Sequence, residues 1–293
     1  MPSDAVLPSF TTAPRRAYAP TYAPTVVVLH AHPDDEAIFT GLTIRRLADA
    51  GARVVLVAAT CGEEGEPRVP LRPGETMRRR RWAELEQACA LLGVARLELL
   101  GYRDSGAHAG PYRPDSLGAT PARDVARRVA RIVEQERADA LVHYDPRGIY
   151  GHVDHIQVHR AGAAAARWSG VTGYEATVDA QALRAGGRHV LQQAAGDALD
   201  AGVAAHEITF AVDGDARTLQ TKLAAMAAHA SQIGPEYLDG HGSGEPGTTG
   251  SYGREWFVRR SGEPVLEQAL AAPVPQRQSR QVGDLHVAAV TIR

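Results

Sequence analysis

Thr25-Val-Val-Val-Leu-His-Ala-His-Pro-Asp-Asp-Glu36 decides how the 293-residue chain is read. Its first half is short, apolar and β-branched, and it runs straight into a turn of ionisable residues. Such a run is typical of a strand buried on both faces of a parallel sheet. Working outward, residues 36–50 read as a helix, with Ile38, Leu42 and Leu47 on its apolar side and Gly51 at its end. Arg53–Ala59 is a second strand, and residues 75–92 form a second helix closed by Gly93. Arg96–Leu100 is a third strand, 121–137 a third helix, Ala140–Tyr144 a fourth strand and 152–167 a fourth helix. Strands alternating with helices of this length predict βαβ units with right-handed crossovers. The expected fold class is α/β: a Rossmann-like, mostly parallel sheet with helices on both faces.

Beyond residue 170 the pattern weakens. Residues 173–212 carry a strand signal only over Glu207–Val212, residues 217–230 read as a helix, and the glycine-rich stretch 239–252 reads as a loop. Residues 1–24 hold five prolines and no periodicity, which marks an irregular N-terminal segment. Residues 25–260 are expected to form the domain. Residues 261–293, rich in Pro and Gln, read as a C-terminal extension packed on it, with a last strand over 286–292.

Hydrophobic residues make up 44% of the chain and charged residues 23%. That profile belongs to a soluble globular protein and excludes disordered, collagen-like and coiled-coil chains. The net charge of −2 offers no basic surplus for nucleic acid and no polybasic block for a membrane surface. No apolar run approaches the roughly 18 residues that span a bilayer. Cys61 and Cys89 are the only cysteines, so there is no disulfide framework. With no apolar signal segment at the N-terminus, a reducing, cytoplasmic setting is expected. Lys222 is the only lysine. A homo-oligomer is compatible with this composition.

Ligand sites in open parallel sheets lie beyond the carboxyl ends of the strands. The first strand does not end in G-x-G-x-x-G, so a dinucleotide site is not expected there. It presents His32, Asp34 and Asp35 on a turn pinned by Pro33. An imidazole and a carboxylate so spaced can converge on one ion, and zinc takes nitrogen and oxygen ligands of this kind. The competing reading is that Asp34 and Asp35 only cap the next helix. A cap needs one acid, not a pair with a histidine beside it.

The fourth strand ends in Tyr144-Asp-Pro-Arg-Gly-Ile-Tyr-Gly-His-Val-Asp-His155. His152 and His155 share one face of the helix that starts there. His159 lies on that face too, so spacing leaves His155 and His159 both open as ligands. A lone H-x-x-H is a weak signal. Two such clusters at two strand ends of one sheet are stronger, because the fold brings those ends together. They supply one catalytic zinc per chain with a position free for water. Ferrous iron suits the same donors.

These residues are recognisable. AHPDDE, GEEGE, RxxEL, RDSG, YDPRGIYGHVDH and AHASQ occur in that order. The chain resembles the LmbE/PIG-L family of zinc-dependent N-deacetylases, whose members include N-acetylglucosaminyl-inositol deacetylases and mycothiol-conjugate amidases. The likeness runs from about Val26 to Ala161 and returns near Lys222–Ile233. It implies His32, Asp35 and His155 as metal ligands and Asp34 as general base on the attacking water. It implies His152 near the scissile amide as an acid or oxyanion stabiliser, with Asp154 orienting it, and Tyr150 as an oxyanion donor. Glu66, Arg81 and Asp104 match positions that hold sugar hydroxyls, and His229 matches a position near the site. Val153 departs from the family, where Pro is common, and Val fits a first helical turn with little loss.

Other signals have ordinary readings. Glu63 and Glu64 read as loop carboxylates and Arg78 and Arg79 as a solvated face. His30 and His143 read as packed or supporting histidines, and Cys61 as a small buried thiol. Asp104 suits an Asx-turn as well as a hydroxyl acceptor. The expected activity is removal of an N-acetyl group from an amino-sugar-containing small molecule through water activated by zinc. The alternatives are an amidase acting on a mycothiol-type thiol conjugate and a non-catalytic sugar-binding member of the fold. A phosphohydrolase would call for more acidic ligands and a second metal.

Overall fold

The structure, a computed structural model, describes residues 23–106, 112–185, 189–191, 201–238, 252–271 and 286–287. The strands are β1 (Thr25–His30), β2 (Arg53–Ala58), β3 (Arg96–Leu99), β4 (Ala140–Tyr144), β5 (Thr172–Thr177), β6 (Phe210–Asp213), β7 (Arg254–Arg259) and β8 (His286–Val287). The helices are α1 (Asp35–Asp49), α2 (Met77–Leu92), α3 (Ala122–Gln135), the single turn α4 (Gly148–Gly151), α5 (Val153–Ser169), α6 (Ala180–Ala185), α7 (Ala216–Ala228) and α8 (Val265–Ala271).

β1 owes its place to its side chains. Val26, Val27, Val28 and Leu29 are all buried, which only a strand covered on both faces allows. It pairs in parallel with β2 on one side and β4 on the other. The sheet order is β6-β7-β5-β4-β1-β2-β3-β8. β7 alone runs antiparallel to its neighbours β5 and β6. From β1 the chain winds outward through β2 to β3, then returns to β4 and winds the other way to β5. Right-handed crossovers put the helices of the two windings on opposite faces. α1 and α2 pack with α7 on one face, and α3 packs with α5 on the other.

Local signals set the helix ends. Thr76 accepts the Arg79 N–H at 3.3 Å at the start of α2, and Gly93 ends that helix in the left-handed region at φ 81°. α3 buries Val125, Ala126, Val129, Ala130, Ile132 and Val133, the stripe expected of a helix lying on a sheet.

The C-terminal half departs from the sequence expectation. β5 and β7 carry no strong strand signal, since TGYEAT and REWFVR mix charge with apolar residues. Their place in the sheet comes from tertiary pairing, not propensity. The strand expected over Glu207–Val212 begins only at Phe210, because Ala205–Glu207 forms a 3₁₀ turn. α8 packs on the body through buried Val265 and Leu266, and β8 pairs with β3. The expected irregular segment 1–24, the loop 239–252 and the strand 286–292 lie largely outside the described residues. Among the described residues no helix is long and apolar enough to cross a membrane.

One buried ion pair joins α1, α7 and β7. Glu255 accepts the N–H groups of Leu42 and Thr43 at 2.9 Å each, the Thr43 hydroxyl at 2.7 Å and the Lys222 ammonium at 2.8 Å. Both charged side chains are almost fully buried. Glu255→Ala would leave the lysine and two helix N–H groups without their acceptor. The expected loss is about 3–5 kcal/mol of stability, read as a lower urea midpoint at unchanged m.

Candidate active site

β1 and β4 are neighbours from which the chain winds in opposite directions, so the space beyond their carboxyl ends is the switch point of the sheet. The turns that leave these two strands carry both histidine clusters.

The β1–α1 turn is strained. Asp34 sits at φ 110°, ψ −31°, a conformation that costs a non-glycine residue on the order of 1–3 kcal/mol. Glu36 holds it by accepting the Asp34 N–H at 3.0 Å. Arg81 holds it through an ion pair of 3.0 Å to Oδ2. The Asp34 side chain makes no capping bond to α1. Burial pushes its carboxyl up to about 6, against the pull of Arg81.

The β4–α5 turn is built by Asp145. One carboxylate oxygen accepts the N–H groups of Arg147 and Ile149 at 2.9 Å, and the other accepts the Thr177 hydroxyl at 2.6 Å. Ile149 is forced to φ 65°, an outlier for a β-branched residue. Tyr150, His152 and His155 follow from this turn. His152 caps α5: its Nδ1 accepts the Asp154 N–H at 3.1 Å. Neutral imidazole carries one proton, so His152 holds it on Nε2. Burial first, then His32 and His155, pull the His152 pKa down to about 3.

His32, Asp35 and His155 converge. His32 Nδ1 lies 3.3 Å from His155 Nε2 and 3.6 Å from Asp35 Oδ2, and His155 Nε2 lies 3.4 Å from that same oxygen. His159, which spacing left open, does not join them. Its Nδ1 turns to the Tyr144 carbonyl at 2.9 Å. Two imidazole nitrogens and a carboxylate oxygen thus meet with no lysine or arginine among them, a donor set that fits a zinc-type ion. Burial opposes protonation of His32, but Asp104, Asp154 and Asp35 outweigh it and hold its pKa well above the ordinary value.

A second layer aims these donors. Tyr144 donates to Asp35 Oδ2 at 2.6 Å and accepts the Ala31 N–H at 2.9 Å, while its ring stacks on His155 at 4.2 Å and 8°. The His32 N–H reaches the same Asp35 oxygen at 2.8 Å. Asp154 accepts the Ser105 N–H at 3.0 Å and its hydroxyl at 2.5 Å, and lies 3.2 Å from His32 Nε2. A proton on that nitrogen leaves the His32 Nδ1 lone pair facing the cluster. The Asp154 carboxylate therefore supports His32, while the Asp154 backbone N–H donates to His152 Nδ1.

The remaining sequence-predicted residues divide. Tyr150 lies edge-on to His155 at 4.9 Å, and burial with the nearby Asp35 and Asp34 carboxylates raises its pKa well above the ordinary value, keeping the phenol protonated. Asp104 stands 3.5 Å from His32 Nε2 and also forms the Asx-turn, accepting the Gly106 N–H at 2.9 Å. His229 is buried behind Asp34, bound to Glu36 at 2.6 Å. Glu66 is exposed, and its carbonyl accepts from Gln232 at 3.1 Å. Arg81 Nη1 and Nη2 donate to Gly62, Pro33 and Asp34, while its buried Nε has no hydrogen-bond partner among the described residues. Cys61 is a buried thiol pushed up to about 11 by burial, consistent with packing.

Sequence reasoning did not single out Tyr144, Ser105, Asp145 or Glu36 for the site. Only Tyr144 carried a usable signal: a hydroxyl-bearing ring at the end of a buried strand must find a polar partner.

The sheet order and the switch-point cluster put the chain among α/β proteins whose nitrogen and oxygen donors converge where a metal ion could be held. Residues 27–166 match the family model described as PIG-L: GlcNAc-PI de-N-acetylase. The 1D-myo-inositol 2-acetamido-2-deoxy-alpha-D-glucopyranoside deacetylase of Kineococcus radiotolerans is 35% identical over 248 residues, covering 71% of this chain and 68% of that protein. The protein of the same name from Thermobispora bispora is 34% identical over 273 residues, covering 82% and 89%. Among solved structures, the zinc-inhibited form of teicoplanin deacetylase Orf2 shares the fold with a TM-score of 0.55 at 17% identity, covering 80% of this chain and 98% of that one. The chain belongs to the PIG-L family.

Tyr144→Phe removes the hydroxyl that orients Asp35. Metal affinity is expected to fall about 10–100-fold, the usual effect of losing such a support. Competition with a chromophoric chelator measures it.

Proposed function

We propose that the protein is a zinc-dependent N-deacetylase that hydrolyses the acetamide of an N-acetylated amino-sugar compound. The observation that carries this reading is the convergence of His32, Asp35 and His155 with the carboxylate of Asp34 held beside them. The names of the curated relatives, deacetylases of an acetamido sugar joined to inositol, support the substrate class. Both cysteines are free and buried, which supports a reducing, cytoplasmic setting.

His32 Nδ1, Asp35 Oδ2 and His155 Nε2 would hold the ion. When bound, a zinc ion supplies a Lewis acid for the amide carbonyl and lowers the pKa of water toward about 7. Asp34 takes the proton of the attacking water and returns it to the amine nitrogen as the C–N bond breaks. The products are acetate and a primary amine. The charge that builds on the carbonyl oxygen needs neutral or cationic donors. His152 offers Nε2–H, because its Nδ1 is committed to the Asp154 N–H. Tyr150 offers a phenol kept protonated by its surroundings. In this reading Asp104 and Glu66 accept sugar hydroxyls, and His229 backs the site through Glu36.

The test is primary-amine release from free N-acetylglucosamine, an N-acetylglucosaminyl-inositol, a chitobiose and a cysteine-conjugated amide, each with zinc and after chelation. Release that requires metal and favours an amino sugar is expected. Release from the cysteine conjugate alone would make the protein an amidase, and no release from any member by folded, zinc-loaded protein would overturn the reading. Asp34→Ala is expected to keep its metal and lose about 10²–10⁴ in kcat, the usual range for a general base. Loss of metal in that variant would make Asp34 a ligand.

A further inference from the structure

We propose that Gly202 is a positioning residue for the Tyr150 phenol, its N–H fastening the Ile149 carbonyl so that the turn bearing Tyr150 cannot relax. The proposal rests on Tyr150 acting as an oxyanion donor. Ile149 stands one residue before Tyr150, at φ 65° and ψ −55°. Those angles lie close to the γ-turn of positive φ, which is rare and strained, and a β-branched side chain worsens it. Such a conformation persists only where the surroundings over-determine it. They do so at both ends of the residue. The Ile149 N–H donates to Asp145 Oδ1 at 2.9 Å. The Ile149 carbonyl accepts the Gly202 N–H at 2.6 Å. With donor and acceptor both tied, φ and ψ are fixed together, and the peptide that follows places the Cα of Tyr150. The Tyr150 ring then lies 4.9 Å from the His155 ring and 6.1 Å from that of His152.

Both ties hang from the end of β5. Thr177 donates its hydroxyl to Asp145 Oδ2 at 2.6 Å, and the Asp145 N–H donates to the Ala176 carbonyl at 3.1 Å. Past the strand, the Val203 N–H donates to the Val178 carbonyl and the Ala180 N–H to the Val203 carbonyl, each at 3.0 Å. That pairing lays residues 201–203 beside the chain leaving β5 and brings the Gly202 N–H to the turn. Ala201, Val203 and Val178 are all buried, so the piece is packed down rather than laid on the surface. Only glycine suits its middle position. Gly202 sits at φ 77°, and a Cβ there would run into the Val178 carbonyl oxygen and stand 2.6 Å from Val178 Cγ2. A residue far in sequence from both histidine clusters thus reaches the site through one backbone bond.

Steady-state kinetics with metal analysis of G202A, V203P, Y150F and G202A/Y150F tests the proposal, on N-acetylglucosaminyl-inositol and its N-trifluoroacetyl analogue. Y150F is expected to lose about 10²–10³ in kcat, the usual effect of removing one oxyanion donor. G202A is expected to lose about 10², the size of effect a misplaced group produces, with KM within a few-fold and metal retained. The double variant should lose no more than Y150F, since the two act as one unit. The trifluoromethyl group stabilises the developing oxyanion itself, so both deficits should shrink on the analogue, which a mere loss of folded protein would not do. V203P removes the N–H that seats the segment without adding a side chain at 202. It should fall in the same direction, and it carries the test if G202A does not fold. Unchanged kcat in folded G202A or V203P, or losses that multiply in the double variant, would overturn the proposal. Full kcat in Y150F would instead overturn the role of Tyr150 beneath it, and that variant alone reports that failure.

Discussion

A carboxylate shut away from water between two strand ends governs the site. Asp35 is 3% exposed and faces the imidazoles of His32 and His155 on one oxygen. Burying such a charge is costly unless other groups answer it. The answer comes from both halves of the sheet: the Tyr144 hydroxyl from β4, the His32 N–H from the turn after β1, and His155 from α5. Only at the point where the winding reverses do those two strand ends lie side by side with their crossing helices parted. The topology of the sheet and the place of the chemistry are one constraint.

Around that centre, buried acids hold geometry. Asp154 ties His32 to Ser105, Glu36 ties Asp34 to His229, and Glu84 ties α2 to Ser231. Each carboxylate accepts a backbone N–H, so each fixes main chain and side chain together. Glu36 in this way, and Asp145 in the turn after β4, keep Asp34 and Ile149 in unfavourable backbone conformations. Strain of this kind persists where the surroundings over-determine the residue. Here it holds the Asp34 carboxylate, ion-paired with Arg81, in the field of Asp35.

The strand-and-helix alternation from Thr25 to Ala166 is legible in the chain because local pattern and tertiary role agree there. β1 is apolar since both its faces are covered, and α3 shows its stripe since one side meets the sheet. The histidines and acids of the two turns are legible because their residue types have few other uses at a strand end. β5 and β7 are not legible, since TGYEAT and REWFVR are strands only by virtue of the partners beside them. The direction of Asp154 is hidden for a similar reason. Spacing puts it near His152, but the choice between His152 and His32 is made by Ser105, far away in sequence. Arg81 resists reading too: an arginine in a helix does not announce whether it faces a ligand or the chain's own backbone.

Lys222 has a consequence outside the fold. It is the only lysine in 293 residues, and it is buried on Glu255. The protein surface therefore carries no ε-amine, and its many guanidinium groups do not behave as primary amines. Reagents that light up on amines meet almost none on the protein, so product from an acetamide can be followed against a silent background. Amine-directed cross-linking or immobilisation would likewise leave the lysine side chain untouched in the folded state.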